Sequence, residues 1–85
     1  MPEISRFLGI VIAIFYRDHE PPHFHATYGG YEVTVGIVDG VVEGRFPRRA
    51  LGHVLEWLSL HRDELLANWE RARARQPLEP IPPLE

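Results

Sequence analysis

The chain has 85 residues, enough for one small domain built around a single hydrophobic core. Its 45% hydrophobic and 25% charged residues are typical of a soluble globular protein, and its net charge of −3 gives no overall basic signature for nucleic acid. The absence of cysteine excludes disulfides, thiolate metal sites and cysteine catalysis. The first residues lack the pattern of a signal peptide, and the apolar run 7–16 is about half the length of a membrane-spanning helix. We therefore expect a cytoplasmic protein with no membrane segment.

The first half of the sequence predicts four β-strands. The earliest apolar run is rich in β-branched side chains, which favours a strand covered on both faces. The next two runs alternate between apolar and polar residues on either side of Gly29–Gly30, a strong hairpin pattern, and Asp39–Gly40 supplies a second turn signal. The predicted strands are residues 7–16, 23–28, 31–38 and 41–46. We expect them to form an antiparallel meander in the order 1-2-3-4.

A long helix follows the predicted strands. Helical periodicity runs from Arg48 to about Arg73, with a kink expected within Ser59–Asp63. Apolar residues at three- and four-residue steps form the predicted buried stripe: Leu51, Val54, Leu55, Leu58, Leu65 and Trp69. The predicted fold is therefore α+β, a four-stranded sheet packed on one C-terminal helix in a single domain of residues 1–75. Residues 76–85 contain four prolines, which predicts an extended C-terminal tail.

The candidate functional segment is residues 18–25, Asp-His-Glu-Pro-Pro-His-Phe-His, which contains three of the five histidines. His23 and His25 are two positions apart, so both imidazoles should lie on one side of an extended strand. The two predicted turns set the register, and a register error of one residue would reverse every face. The first turn pairs His25 with Thr34, and the second pairs Thr34 with Arg45. The histidines should therefore share a polar face with that arginine.

A hollow is expected on this polar face. In the same register Gly36 lies between His23 on one neighbouring strand and Glu43 on the other, and a residue without a side chain leaves space for a ligand. The opposite face, which includes Phe24 and Val35, forms the predicted core. The sequence thus predicts one polar cluster beside a gap in the sheet surface.

Segments throughout the chain resemble a known family. They are Met1–Phe7, Gly9–Ile10, Asp18–Ala26, Tyr28–Gly29, Pro47–Leu51, Glu56–Trp57 and Leu60–Trp69. Together these segments look like the small bacterial family called domain of unknown function 4160. The resemblance brings no catalytic assignment that can be transferred to single residues. It implies a small cognate partner protein encoded next to this one, as in two-gene toxin–antitoxin modules, and with it a toxin role.

The first interpretation of the polar cluster is a small endoribonuclease of the toxin type that needs no metal or other cofactor. Cleavage of RNA through its 2′-hydroxyl requires an acid, a base and a cation near the phosphate. Two histidines could exchange protons, an arginine could bind the phosphate, and a glutamate could orient one histidine. The predicted catalytic residues are His23, His25, Arg45 and Glu43. The predicted substrate-binding residues are Arg17, Thr34 and Arg48.

Three other interpretations remain open. A divalent metal could be bound by His19, His23 and His25, with two ligands on a strand and one on a loop. Alternatively, the chain is a non-catalytic, antitoxin-like module that binds its partner, or a second copy of itself, through the polar face or an exposed edge strand. In the last interpretation the histidines are structural and only satisfy loop carbonyls and the carboxylate of Asp18.

Overall fold

The computed structural model describes residues 2–85. Five strands form one antiparallel sheet in the order β1-β2-β3-β4-β5, and a single helix follows them. The elements are β1 (Glu3–Phe7), β2 (Ile10–Ala13), β3 (His23–Tyr28), β4 (Tyr31–Gly36), β5 (Val42–Arg45) and α1 (Arg48–Arg73). The α+β class and the C-terminal helix are confirmed, whereas the prediction of four strands is wrong. Within residues 2–85, no helix is long and apolar enough to cross a membrane.

The additional strand arises because the first apolar run contains a turn. Phe7 of β1 pairs with Ile10 of β2, so only Leu8 and Gly9 connect the two strands. Both connecting residues have positive φ, 52° for Leu8 and 79° for Gly9, as a tight hairpin of this length requires. The sequence pattern predicts Gly9 to lie inside a strand, because apolar residues flank it on both sides. The apolar run therefore contains the end of β1, the turn and the whole of β2, rather than a single long strand.

The register is confirmed for the central hairpin and is wrong for the last one. His25 pairs with Thr34 as predicted. On the other side of β4, however, Thr34 pairs with Glu43, and Arg45 lies opposite Glu32. The connection between β4 and β5 spans residues 37–41 rather than two residues, and the N–H of Gly36 donates to the carbonyl of Val41, whereas the predicted register placed Gly36 opposite Glu43. A shift of two residues keeps every side chain on its predicted face but moves it along the strand.

Helix α1 covers the core face of the sheet. Its backbone is non-helical at His61, with φ −129° and ψ 25°, which confirms a kink within the predicted segment. The fully buried helix residues include Trp57, which the predicted stripe omitted, whereas Leu55 from that stripe is 36% exposed. The ring of Trp57 packs against Phe7 and Phe24, with centroid distances of 5.4 Å and 5.8 Å. The buried stripe is thus centred on the ring of Trp57, which lies beside the predicted line of leucines.

The C-terminal residues 76–85 contain no helix or strand, and they pack against the rest of the fold. Ile81 is 4% exposed within the core, and its N–H donates to the carbonyl of Ile4 on β1 at 2.8 Å. The indole N–H of Trp57 donates to the carbonyl of Pro82 at 2.9 Å. The tail therefore lies between the β1 edge of the sheet and helix α1, leaving the opposite face of the sheet free.

Candidate metal centre

A cleft of about 350 Å³ opens on the sheet face that carries the odd-numbered residues of β3. The loop between β2 and β3 forms one side, β3 and β4 form the floor, and β5 forms the far rim. Its lining residues include Asp18, His19, His23, His25, Thr34 and Glu43. His23 and His25 therefore line one cavity, as expected for strand residues two positions apart. His19, from the loop before β3, lines the same cavity.

Asp18, from the loop between β2 and β3, joins the two strand histidines into one cluster. Its Oδ2 atom lies 2.8 Å from Nε2 of His23 and 2.9 Å from Nε2 of His25. The other carboxylate oxygen, Oδ1, accepts a hydrogen bond from the backbone N–H of His19 at 3.3 Å, which helps to orient the group. All three side chains of the cluster are 12–18% exposed. One carboxylate oxygen thus lies in contact with two imidazole nitrogens in a largely buried setting.

The hydrogen bonds of His23 determine where its protons lie. Nδ1 of His23 is 2.8 Å from the carbonyl oxygen of Pro21, and a carbonyl only accepts, so this nitrogen donates its proton. In a neutral ring, Nε2 then carries a lone pair that points at the carboxylate of Asp18. Two acceptors at hydrogen-bonding distance repel each other. The contact is favourable only when the ring is doubly protonated or when a cation lies between the nitrogen and the oxygen.

His25 has acceptors on both sides of its ring. Nδ1 lies 3.3 Å from Oε2 of Glu32, and Nε2 faces Asp18. Both partners are carboxylates, so a neutral ring again leaves one nitrogen lone pair directed at an acceptor. The edge of Phe15 packs on the ring, with centroids 4.5 Å apart, and holds its orientation. A carboxylate that accepts from the outer nitrogen of a histidine while the inner nitrogen binds a metal is the usual support of a metal ligand.

The charge of Asp18 follows from its neighbours. Partial burial raises the pKa of its carboxyl group, but the hydrogen bond from His25 and the positive charge and hydrogen bond of His23 together outweigh burial. The net result is a pKa below the ordinary aspartate value. Asp18 is therefore a carboxylate at neutral pH, which is the form that a cation requires.

The three side chains form a set suited to a metal ion. One ligand atom from each of Asp18, His23 and His25 can be chosen so that all three lie within 4.8 Å of one another. Two imidazole nitrogens and one carboxylate oxygen match the donors of catalytic zinc and non-haem iron sites. The donor set differs from the predicted His19, His23 and His25, because the side chain of His19 is 88% exposed and its Nδ1 lies 3.6 Å from the carboxylate. The sequence pattern indicates a role for Asp18 only as a structural partner of the histidines.

The predicted arginines lie outside the cleft. Arg45 borders a different groove, between β5 and the start of α1, and it pairs with Glu32 rather than with Thr34. Arg17 lines a third depression beside the end of α1, and Arg48 is exposed at the start of that helix. Glu43 and Thr34 do line the cleft, as predicted. The cleft therefore combines histidines and carboxylates without the guanidinium group that a metal-independent nuclease would need at a phosphate.

Gly36 lies in the cleft floor, but the space above it is taken. A Cβ atom at this position would collide with the carboxylate of Asp39, which folds back over the strand. That carboxylate accepts a hydrogen bond from the N–H of Val41 at 3.0 Å. The glycine therefore makes room for Asp39 and the turn after β4, so the cleft that His23, Gly36 and Glu43 line does not owe its space to the missing side chain.

Comparison with known proteins gives a family without an assigned activity. No curated protein and no solved structure matches the chain. Residues 9–70, which is more than half of the sequence, match the family described as domain of unknown function (DUF4160). This match includes the whole of the Asp18, His23 and His25 cluster and most of helix α1. The chain belongs to the DUF4160 family.

Proposed function

We propose that this protein binds one divalent first-row transition-metal ion through Asp18, His23 and His25, with at least one coordination position open to the cleft. The proposal is supported mainly by the hydrogen bonding of the two histidines. Each ring has its outer nitrogen beside an oxygen acceptor and its inner nitrogen directed at the same carboxylate oxygen. A cation among the three inner atoms would remove the lone-pair contact between His23 and Asp18 and would leave Nδ1 of His25 to donate its proton to Glu32.

The supporting contacts around the cluster fit this proposal. Each of the three ligands has a separate hydrogen-bond partner that fixes its orientation: Pro21 for His23, Glu32 for His25 and the backbone of His19 for Asp18. Such outer partners commonly change metal affinity by about 10–100-fold when they are removed. Asp18 also meets the requirement that a carboxylate ligand be ionised, because its pKa lies below the ordinary aspartate value.

The open position defines the chemistry that we propose. A metal held by three protein ligands can bind a water molecule or a substrate oxygen in its remaining position and lower the pKa of the water. Glu43 lines the cleft from β5, opposite Thr34 of β4, which in turn pairs with His25 of β3. We therefore propose a metal-assisted hydrolytic function, with Glu43 as the candidate proton acceptor at the rim.

The ribonuclease and partner-binding functions expected from the sequence stay predictions. His23, His25 and Glu43 share the cleft, which supports proton transfer there, but Arg45 does not line it. The acidic groups of the cleft disfavour an RNA phosphate unless a bound cation offsets their charge. A toxin-type nuclease with this cluster should therefore depend on a metal ion, contrary to the sequence-based expectation.

The experiment is a titration of chelator-treated protein with Zn²⁺, Co²⁺ or Mg²⁺ by isothermal calorimetry. We expect one ion per chain, with Zn²⁺ and Co²⁺ bound far more tightly than Mg²⁺, because imidazole ligands favour these metals. His25→Ala should weaken zinc binding by at least about 100-fold, through loss of one of the three ligands. Glu32→Gln should weaken it by about tenfold, as expected for an outer partner.

Two helix histidines provide matched controls for the titration. His53→Ala and His61→Ala each remove an imidazole outside the cluster, and both variants should bind zinc like the unmodified protein. The absorption spectrum of the Co²⁺ form gives a second readout, since replacing a ligand changes the d–d bands even when the fold is intact. Zinc binding that is unchanged in His25→Ala, or no stronger than that of Mg²⁺, would contradict the proposed metal site.

A further inference from the structure

A second, shallower depression adjoins the cleft, because Asp18 and His19 line both spaces. Its volume is about 350 Å³. One wall is the loop between β2 and β3, and the other is formed by residues at the end of helix α1. An ion pair between Glu20 of the loop and Arg73 of the helix joins the two walls. The loop that supplies the aspartate of the metal cluster therefore also builds this depression.

Three arginines line the depression. Arg17 lies in the loop, Arg73 lies in the last turn of α1, and Arg75 follows the helix. Arg73 pairs with Glu20, whereas neither Arg17 nor Arg75 makes an ion pair within residues 2–85. A guanidinium group is always charged and only donates hydrogen bonds. The depression therefore offers two cationic donors that have no acidic partner.

The backbone at Arg75 occupies a position that usually holds glycine. The N–H of Gln76 donates to the carbonyl of Arg71, and the N–H of Arg75 donates to that of Ala72, as in a common type of helix end. These bonds also satisfy carbonyl groups that would otherwise repel an anion. Arg75 has φ 58°, where a residue with a side chain is strained and glycine is not. A guanidinium group therefore stands where the helix end alone favours glycine.

A phosphate group matches these side chains. It carries a charge of about −1.5 to −2 at neutral pH and has three oxygen atoms that accept hydrogen bonds. Each guanidinium fork donates to two oxygens, so two forks from different directions suit phosphate better than a planar carboxylate. The carboxylates that line the depression already have partners, since Glu20 pairs with Arg73 and Asp18 contacts the two histidines of the metal cluster. They therefore oppose an anion less than unpaired carboxylates would.

From these observations we propose that the depression binds the phosphate group of a phosphate monoester through Arg17 and Arg75. A phosphate bound there lies next to the loop that carries Asp18, so the rest of the ester can extend into the adjoining cleft. That this ester is the substrate of the cleft rests on the proposed metal function. The binding of phosphate by the two arginines does not depend on a metal ion.

The test is an NMR titration of isotopically labelled, chelator-treated protein with phenyl phosphate, and with benzoate as a carboxylate of similar size. We expect the amide signals of residues 16–20 and 73–76 to shift, and phenyl phosphate to bind at least about threefold more tightly than benzoate. Arg75→Gly removes a guanidinium group but suits the backbone. It should weaken phosphate binding by at least about fivefold without lowering the urea midpoint of unfolding. Arg17→Gln should weaken binding by a similar factor.

Arg49→Gln is the matched control, because it removes an exposed arginine at the opposite end of α1. This variant should bind phenyl phosphate like the unmodified protein. The proposal is overturned if Arg49→Gln weakens binding as much as Arg75→Gly does, if neither Arg17→Gln nor Arg75→Gly weakens it, or if benzoate binds as tightly.

A zinc titration of the same variants separates this proposal from the metal site. Arg75→Gly should bind zinc like the unmodified protein, because Arg75 contacts none of the three proposed ligands. If the protein binds phenyl phosphate through the two arginines but does not bind zinc, the phosphate site is supported and the metal function fails. If it binds zinc but not phenyl phosphate, the metal site stands and the phosphate site is overturned.

Discussion

The two edges of the sheet are completed in different ways. At the β1 edge, the C-terminal tail binds the carbonyl of Ile4 and fills the gap between the sheet and α1 with Ile81. At the β5 edge the corresponding gap is an open groove beside Phe46. The tail thus does for β1 what a sixth strand would do, using one backbone hydrogen bond and one buried side chain. The comparison shows that a small domain can protect one edge with its own chain and leave the other available.

The largest expected effect comes from removing the tail. Deletion of residues 77–85 exposes the region around Ile4 and removes the buried side chain of Ile81 together with the hydrogen bond from Trp57. Loss of one large buried aliphatic side chain alone costs about 2–5 kcal/mol, and stranded buried donors add more. Because small domains have only about 5–15 kcal/mol in total, we expect loss of the cooperative fold.

Urea denaturation and near-ultraviolet circular dichroism would measure this effect. Deletion of Glu85 alone, which is exposed, is the matched control and should leave the unfolding midpoint unchanged. A truncated chain that unfolds at the same urea concentration as the full chain would show that the tail contributes nothing to the β1 edge.

A smaller effect is expected from the side chain that ties the tail to the helix. Asn68 is 1% exposed, and its amide both donates to the carbonyl and accepts from the N–H of Glu79, each at 2.8 Å. Asn68→Ala leaves the N–H and the carbonyl of Glu79 without their side-chain partner, which should lower the free energy of unfolding by about 1–3 kcal/mol. The exposed neighbour Glu70 is the control, since Glu70→Ala should change stability by less than about 0.5 kcal/mol. Equal values for the two variants in urea denaturation would contradict the role of the amide.

The smallest effect is expected at the open edge. Arg45 is exposed and lies opposite Glu32 in the strand register, so Arg45→Gln removes a positive charge from beside an acidic residue. At protein concentrations too low for association, the free energy of unfolding should fall by about 0.2–1 kcal/mol. If Arg45→Gln lowered the free energy of unfolding as much as Asn68→Ala does, the expectation would be wrong. The Arg45 side chain would then stabilise β5 as strongly as Asn68 stabilises the tail. Thermal unfolding at low micromolar concentration makes this comparison.

Local patterns in the sequence predicted those parts of the fold that depend on neighbouring residues. The Gly29–Gly30 turn set the register of the central hairpin, and helical periodicity gave the limits of α1. The first hairpin was missed because Leu8, an apolar residue, adopts a positive φ that such residues seldom adopt. The position of Arg45 was wrong because the length of the connection after β4 depends on a buried turn residue, Ile37, rather than on Asp39–Gly40 alone.

Two further features depend on distant parts of the chain and left little pattern in the sequence. Asp18 joins the histidine cluster through the path of a loop, and no periodicity indicates where a loop side chain will point. Ile81 is one of three apolar residues in a proline-rich segment, so composition predicted an extended tail and gave no sign of which side chain would be buried. The face of the two histidines was predictable because β3 alternates regularly. The position of Asp18, the third member of the cluster, was not predictable, because only the packed structure fixes it.

The loop that carries Asp18 also bears on the energetics of the whole fold. Asp18 comes from the connection between β2 and β3, and an ion pair between Glu20 and Arg73 attaches the same connection to the end of α1. A metal ion bound to Asp18, His23 and His25 would cross-link this connection to the sheet and bind the folded chain in preference to the unfolded one. At a free metal concentration of 100 times the dissociation constant, such linkage adds about 2.7 kcal/mol to the free energy of unfolding. The abundance of the folded protein would then follow the supply of metal.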